Sequence, residues 1–203
     1  YLRKFINKGP VFILALLVLF GCKEKKLSIV HLQGETMGTT FNIKYVPSSS
    51  FPISESAVKT SVNQILLDIN NLFSTYIENS EISRLNKLKA NTPMKISNEF
   101  KMLFNYGNKV SKDTKGLFNP SLDPIINLWG FGTGSKRVIP PSDKQVYSIM
   151  KHVGMELFDL KENVMVKKSD RASLNFSAFA KGYAVDRIVM YLESVQMDDY
   201  FVE

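Results

Sequence analysis

Residues 142–167 read SDKQVYSIMKHVGMELFDLKENVMVK, and this stretch decides the fold class. It begins with the capping-box pattern S-D-K-Q and continues with apolar residues at helical spacing, which predicts a short helix. Two runs typical of β-strands follow at 157–160 and 164–167, and Glu162-Asn163 between them indicates a hairpin. A helix followed directly by a hairpin does not fit a regular βαβ alternation.

The rest of the chain mixes helix and strand signals in the same irregular way. Apolar side chains recur at helical spacing from Val58 to Phe73, behind a predicted N-cap at Ser54. Other predicted elements are a strand over 39–46, helices after Ser80 and from Ser97, a helix from Ser177 or Ala178, and a strand over 199–203 that we expect to lack a partner. We therefore predict an α+β fold, with helices packed on a mixed sheet, rather than a doubly wound α/β sheet.

The N-terminal segment has the three parts of a secretory signal. Three basic residues precede the uncharged apolar run 11–20, and the small residue Gly21 follows it. Ten helical residues rise only about 15 Å, roughly half of a bilayer core, so this run is not an ordinary membrane span. We predict that residues 1–21 are a lipoprotein signal peptide.

Cys22 is the predicted site of lipidation. The pattern L-F-G-C resembles a bacterial lipobox, in which the cysteine becomes the lipid-modified N-terminus after cleavage. The alternative, a buried free cysteine, fits poorly because four charged residues follow at once. We expect residues 22–33 to form a tether and residues 34–203 to form one domain. This arrangement predicts an envelope protein that is anchored to the inner or outer bacterial membrane and faces the periplasm.

Composition excludes several other classes. The 203 residues are 44% hydrophobic and 22% charged, which is ordinary for a folded soluble domain. The net charge is +7, or +4 without residues 1–21, and no arginine run interleaved with aromatic residues indicates nucleic-acid binding. A single cysteine cannot form an internal disulfide. His31 and His152 lie outside every motif, so a serine triad and a histidine-based zinc site have no support.

Residues 119–132 read NPSLDPIINLWGFG and contain the only tryptophan, two prolines and two glycines. Proline removes a backbone donor and glycine raises the entropy cost of ordering, so neither a core strand nor a core helix is expected here. Aromatic rings held between glycines indicate a shaped loop that approaches a flat ligand. An ordinary packed loop remains the alternative on this segment alone.

Four motifs in this order resemble the ApbE family, the FAD:protein FMN transferases. They are G-E-T-M-G-T-T at 34–40, S-T-Y-I-E-N-S-E-I-S-R-L-N at 74–86, G-L-F-N-P followed by the 121–132 segment, and N-F-S-A-F-A-K-G-Y-A-V-D at 175–186. Matches to the family pattern run from about residue 34 to residue 203. Together the four motifs are far more specific than any one of them.

The resemblance implies magnesium-dependent transfer of the FMN moiety of FAD to a threonine or serine hydroxyl of a client flavoprotein, with release of AMP. Clients in this family are subunits of membrane redox pumps and related secreted flavoproteins. Two alternatives stay open: hydrolysis of FAD to FMN and AMP, and a non-enzymatic lipoprotein that holds flavin. Family members also continue beyond residue 203, so we expect these residues to be an N-terminal portion that does not transfer FMN alone.

The family motifs, carried over residue by residue, imply a set of FAD contacts. Met37 should lie against the flavin or adenosine part, and Tyr76 should stack on the cofactor or hydrogen-bond to it. Leu117, Phe118 and Asn119 should form a wall of the same pocket. Asn175 and Lys181 should reach polar groups of FAD, and the backbone carbonyl of Ala178 should bind magnesium, whose other ligands are expected beyond Glu203. For Met37, Tyr76 and Phe118 taken singly, core packing is the alternative. No catalytic residue is assigned.

The position of Lys181 in its predicted helix also indicates an anion-binding site. A cation in the first turn of a helix is opposed by the macrodipole, whereas the free N–H groups there attract anions. A diphosphate between the lysine and these N–H groups would account for the placement, and a lysine that extends to water is the alternative.

Two positions depart from the family pattern. Family members commonly carry aspartate where this chain has Asn119 and Asn175. An amide keeps an acceptor, loses the charge and adds donors, so it cannot replace a carboxylate identically.

Overall fold

A computed structural model describes residues 28–134, 136 and 138–203 of the chain. The predicted signal peptide, 1–21, and Cys22 lie outside the described residues. Within the described part, no helix has both the length and the apolar character needed to cross a membrane.

Two small antiparallel sheets and six helices make up the fold of the described residues. The first sheet has the order β1-β2-β6, and its strands are β1 (Val30–Thr36), β2 (Thr39–Tyr45) and β6 (Tyr200–Val202). The second sheet has the order β3-β5-β4, and its strands are β3 (Met94–Lys95), β4 (Phe158–Lys161) and β5 (Val164–Lys167). The helices are α1 (Glu55–Phe73), α2 (Glu81–Lys87), α3 (Asn98–Asp113), α4 (Asp123–Leu128), α5 (Asp143–Met150) and α6 (Ser177–Ser194). The predicted α+β class is confirmed.

Serine side chains begin three of the helices. The Oγ atoms of Ser54, Ser80 and Ser97 each accept a hydrogen bond from the backbone N–H three residues ahead. These bonds satisfy donors that a helix N-terminus leaves free. The capping box predicted for α5 is also present, with the Ser142 N–H donating to Gln145 Oε1 at 3.0 Å.

The predicted hairpin at Glu162-Asn163 is confirmed, since Lys161 pairs with Val164 across a two-residue turn. Glu162 has a φ of +51°, as primed hairpin turns require.

Three expectations about the secondary structure and its pairing were wrong. Residues 30–33 belong to β1 rather than to a tether, because they pair with β2 along its full length. The strand near the end of the chain has a partner, since Val202 pairs with Ile43. The 119–132 segment contains the helix α4, whose Pro124 is accommodated in the first turn, where a backbone N–H has no helical partner in any case.

The core lies between α1, α3, α6 and the sheets. It includes a row of aromatic side chains: the Phe176 ring centroid lies 5.7 Å from that of Phe73 and 5.2 Å from that of Phe100. Phe176 is fully buried directly before α6 begins. Its burial therefore fixes the N-terminus of α6 next to the C-terminus of α1.

Candidate functional site

A cleft of about 80 Å³ lies where the β1–β2 turn, the end of α1 and the start of α6 meet. It brings together four of the seven residues predicted to contact FAD, namely Met37, Tyr76, Asn175 and Lys181. Ile69, Asn70, Phe73, Ser74, Thr75, Ser177 and Ala180 complete the lining. These residues come from three separate parts of the sequence, so only the fold assembles them. The volume is below the roughly 300–1,000 Å³ of typical ligand pockets, which makes this a partial, open site.

Met37 reaches the cleft from a tight turn. Thr36 pairs with Thr39, and Met37 and Gly38 between them have φ values of +51° and +70°. Both central residues of a type I′ turn have positive φ, a conformation that a long side chain adopts at a cost in free energy. Asn70 ties this turn to α1, because its Nδ2 donates to Thr36 Oγ1 at 3.1 Å and to Leu66 O at 3.0 Å.

Tyr76 lies on the rim of the cleft and is 75% exposed. The backbone leading to it is held by two serines of the α2 N-terminus. Ser80 Oγ donates to Ser74 O at 2.6 Å, and Ser83 Oγ lies 3.3 Å from the same oxygen. The chain therefore turns sharply after α1 and presents Tyr76 to the open side of the cleft.

Asn175 has both ends of its side-chain amide engaged. Its Oδ1 accepts from Ser177 N–H at 3.0 Å, and its Nδ2 donates to Asp123 Oδ1 at 3.1 Å. The backbone N–H of Asn175 donates to Pro120 O at 2.8 Å. Asn175 thus connects the cleft to the 119–123 segment, although it is an amide where family members commonly carry aspartate.

The segment before Asn175 is held from behind by two side chains. Asn86 makes two hydrogen bonds to the Leu174 backbone, each of 2.8 Å. Lys167 is fully buried, and its ammonium donates to the carbonyls of Asn86, Asp170 and Ala172 at 2.6, 3.0 and 3.0 Å. Burial lowers the pKa of Lys167, and the nearby Asp170 partly opposes this shift.

Lys181 is an exposed cation on the cleft wall. It is the fifth residue of α6, one position beyond the first turn, so the predicted first-turn placement was wrong and the macrodipole acts on it more weakly. Among the described residues, no acidic side chain forms a salt bridge with it. The cleft therefore presents one uncompensated positive charge beside apolar walls.

Leu117, Phe118 and Asn119 do not line this cleft. Leu117 is 91% exposed, and the Phe118 ring packs against Phe179 with centroids 5.8 Å apart. Asn119 Oδ1 accepts from the N–H and the Oγ of Ser121, at 2.9 and 2.6 Å. Their predicted contacts with FAD would require a ligand that extends beyond the cleft and past the start of α6.

Ala178 faces a second groove, which is lined by Met102, Leu103, Tyr106, Phe179, Gly182, Tyr183 and Asp186. Its carbonyl belongs to the first turn of α6, where it accepts a helical hydrogen bond and keeps one lone pair. No group of three acidic, histidine or cysteine side chains that could hold a metal occurs in the part of the chain that the structure describes. The described residues thus supply the Ala178 carbonyl as a predicted magnesium ligand, and the other ligands stay predictions beyond Glu203.

Sequence reasoning missed two residues of the site, Asn70 and Asp123. Asn70 lies on the cleft-facing side of α1, and its role depends on contact with a turn 34 residues earlier. Asp123 is buried and accepts a hydrogen bond from the Asn175 amide. The dipeptide Asp123-Pro124 did carry a local signal, because an acidic residue followed by proline is typical of a helix start.

The model of the ApbE family matches residues 37–203. This chain belongs to the ApbE family. The match begins at Met37, in the turn that reaches the cleft, and it includes every residue predicted to contact FAD.

Curated relatives agree with this membership. The chain is 32% identical to an FAD:protein FMN transferase of Vibrio cholerae, over 95% of this chain and 57% of the relative. It is 30% identical to the enzyme of the same name from Haemophilus influenzae, over 100% of this chain and 59% of the relative. The chain therefore spans less than two thirds of the length of these relatives.

Solved structures of ApbE proteins share the fold. The flavin transferase ApbE from Vibrio cholerae superposes with a TM-score of 0.84 at 30% identity, over 87% of this chain and 57% of that one. The apo flavinyl transferase ApbE of Pseudomonas stutzeri gives a TM-score of 0.82 at 29% identity, over 87% and 58%.

Proposed function

We propose that the protein is an FAD:protein FMN transferase. In this reaction a threonine or serine hydroxyl oxygen of a client flavoprotein bonds to the phosphorus of the FMN moiety. The diphosphate P–O bond breaks, AMP leaves, and the hydroxyl proton is released. The observation that carries the proposal is the meeting of Met37, Tyr76, Asn175 and Lys181 in one cleft of an ApbE family member.

Each part of the cleft suits a part of FAD. The Met37 thioether and the Phe73 ring are apolar, polarisable surfaces against which a flat ring system packs well. Tyr76 on the rim has space to stack on an exposed ring face. Lys181 is a cation without an acidic partner among the described residues, which suits an anionic diphosphate. Asn175 supplies one N–H and one lone pair for polar groups of the ligand.

Magnesium is part of the proposal for the reaction as a whole. When bound, the ion would neutralise the diphosphate and stabilise the leaving AMP. Among the described residues, the Ala178 carbonyl is the ligand that the family resemblance implies, and it alone does not make a site.

The proposed clients are flavoproteins such as subunits of membrane redox pumps, and the proposed location is the periplasmic side of a bacterial membrane. Lipidation of Cys22 would place the cleft close to such clients. Mass spectrometry of protein purified from its host should find a diacylglyceryl group on Cys22. Recovery of mature protein that retains residues 1–21 would contradict this part of the proposal.

The decisive assay supplies full-length protein with FAD, magnesium and a client domain. Transfer predicts that the client gains the mass of one FMN and that AMP appears in equal amount. A matched client with its acceptor threonine changed to alanine should gain nothing. Release of FMN and AMP without client modification would favour FAD hydrolysis instead. Binding of FAD with neither outcome would favour the flavin-holding lipoprotein.

A further inference from the structure

Asp123 is a buried carboxylate next to the cleft, and it is not among the residues predicted to contact FAD. It begins α4 and is 7% exposed. Its Oδ1 accepts from Asn175 Nδ2 at 3.1 Å, and its Oδ2 accepts from Ser173 Oγ at 2.7 Å and from Asn127 Nδ2 at 2.9 Å. A carboxylate is costly to bury, and these three donors offset that cost.

The contact between Asp123 and Asn175 decides how the Asn175 amide is oriented. A carboxylate only accepts hydrogen bonds and the Ser177 N–H only donates, so one orientation of the amide satisfies both neighbours. Rotation of the Asn175 amide by about 180° would place its oxygen against the Asp123 carboxylate and its N–H groups against the Ser177 N–H. Because Asn175 lines the cleft, the orientation also decides where its remaining N–H and lone pair are offered to a ligand.

We propose that Asp123 is a positioning residue for FAD binding, which acts through Asn175 without touching the ligand. The inference rests on the proposed function, because it requires that FAD occupies the cleft. It goes further by assigning a role in recognition to a residue of α4, outside the cleft lining.

An exchange of the two side chains provides the test. In D123N, the amide nitrogen at position 123 faces that of Asn175 or, if the amide turns over, that of Asn127, and the charge that holds Asn175 is lost in both cases. In N175D, two carboxylates face each other. In the double variant D123N/N175D, the amide nitrogen now at position 123 can donate to the carboxylate now at position 175. The amide oxygen at position 123 can still accept from Ser173 and Asn127, and the carboxylate at position 175 can still accept from the Ser177 N–H. Every hydrogen bond within this cluster is therefore available in the exchanged pair, although position 175 loses the N–H that faces the cleft.

FAD dissociation constants of full-length protein, measured by flavin fluorescence on folded samples, give the result. We expect D123N to bind FAD about three- to tenfold more weakly, the equivalent of one hydrogen bond. We expect N175D to bind at least about tenfold more weakly, because two like charges about 3 Å apart repel each other. The double variant should bind FAD several-fold more tightly than N175D, because the contact between positions 123 and 175 is restored, but more weakly than the wild type, because position 175 no longer offers an N–H to the ligand.

The matched control is D143N, because Asp143 also begins a short helix but is exposed and outside the cleft lining. It should bind FAD like the wild type. Folded D123N with wild-type affinity, or a double variant no better than N175D, would overturn the proposal. If D123N does not fold, the double variant decides. If the wild type itself does not bind FAD, both the proposed function and the role of Asp123 are wrong. If the wild type binds FAD and D123N binds it equally well, only the role of Asp123 is wrong.

Discussion

Replacement of Lys167 by methionine should destabilise the fold severely, although this residue lies outside the cleft lining. Methionine keeps the apolar stem but removes the ammonium, which donates to three backbone carbonyls at 2.6, 3.0 and 3.0 Å. Each bond from a charged donor contributes roughly 1.5–3 kcal/mol. Burial of the charge costs several kcal/mol in the opposite direction, which is also why burial lowers the pKa of this lysine.

The net effect follows from what the variant leaves behind. Three carbonyl oxygens would remain inside the protein without their partner, and each unsatisfied buried acceptor costs about 1–3 kcal/mol, so a net loss of several kcal/mol is expected even though the cost of burying the charge is removed. This is a large part of the roughly 5–15 kcal/mol that stabilises a typical domain. The affected carbonyls belong to the end of α2 and to the 170–172 turn, so the backbone leading to Asn175 should loosen as well.

Urea unfolding followed by circular dichroism at neutral pH measures this free energy of unfolding. The adjacent Lys168 provides the control, since its ammonium lies 2.9 Å from Asp159 Oδ1 while its side chain is 46% exposed. Lys168→Met should cost less than about 1 kcal/mol, as exposed ion pairs usually do. If Lys167→Met also costs less than about 1 kcal/mol, the carbonyl cluster does not stabilise the fold and this reasoning is refuted.

Three further predictions concern the cleft and acid stability. Lys181→Ala should weaken FAD binding by roughly 1–3 kcal/mol in a fluorescence titration, and higher salt should weaken the wild type more than the variant; the exposed Lys59→Ala should leave both unchanged. Met37→Gly should weaken FAD binding yet keep or raise the thermal midpoint, because glycine adopts the φ of +51° without strain; a fall of both quantities would show that packing outweighs strain there. The Ala90 N–H holds the pKa of Asp170 below its usual value of 3.8, so the stability that this contact contributes is present above pH 3.8 and is lost as the pH falls through the lowered pKa. The free energy of unfolding should therefore fall less steeply with acid in Asp170→Asn than in the wild type. Equal dependence on pH in the two proteins would contradict the assignment.

Local signals explain which elements the sequence revealed. Helices α1, α2, α3 and α5 each begin behind a serine whose side chain or capping box closes the helix start, and such contacts extend over only three residues. The β4–β5 hairpin is equally local, since its strands are joined by a two-residue turn. Interactions between residues so close in sequence can be predicted without knowledge of the fold.

The elements that sequence reasoning missed depend on distant partners. Strand β1 has few β-branched residues, and it exists because it pairs with β2 across a turn that carries methionine instead of the usual asparagine or glycine. Strand β6 was recognised as a strand, but its partner lies more than 150 residues earlier, so no local pattern could assign the pairing.

The candidate site likewise contains residues that could be predicted from the sequence and residues that could not. Met37, Tyr76, Asn175 and Lys181 were identified through motifs, and the fold brings them together in one cleft. Their supports, Asn70 and Asp123, act through tertiary hydrogen bonds that no motif records. The predicted wall of Leu117 and Phe118 lies elsewhere because Phe118 packs against Phe179.

The pairing of β2 with β6 has a consequence for synthesis on the ribosome. The backbone of Asn42 exchanges two hydrogen bonds of 2.9 Å with Glu203, 161 residues later. At about 5–20 residues per second, roughly 8–30 s pass between translation of the two strands. A β1–β2 hairpin that formed before β6 was available would present an unpaired edge of β2, and unpaired edges recruit other chains. Chaperone access before β6 is in place should therefore raise the yield of soluble protein even when the finished fold is stable.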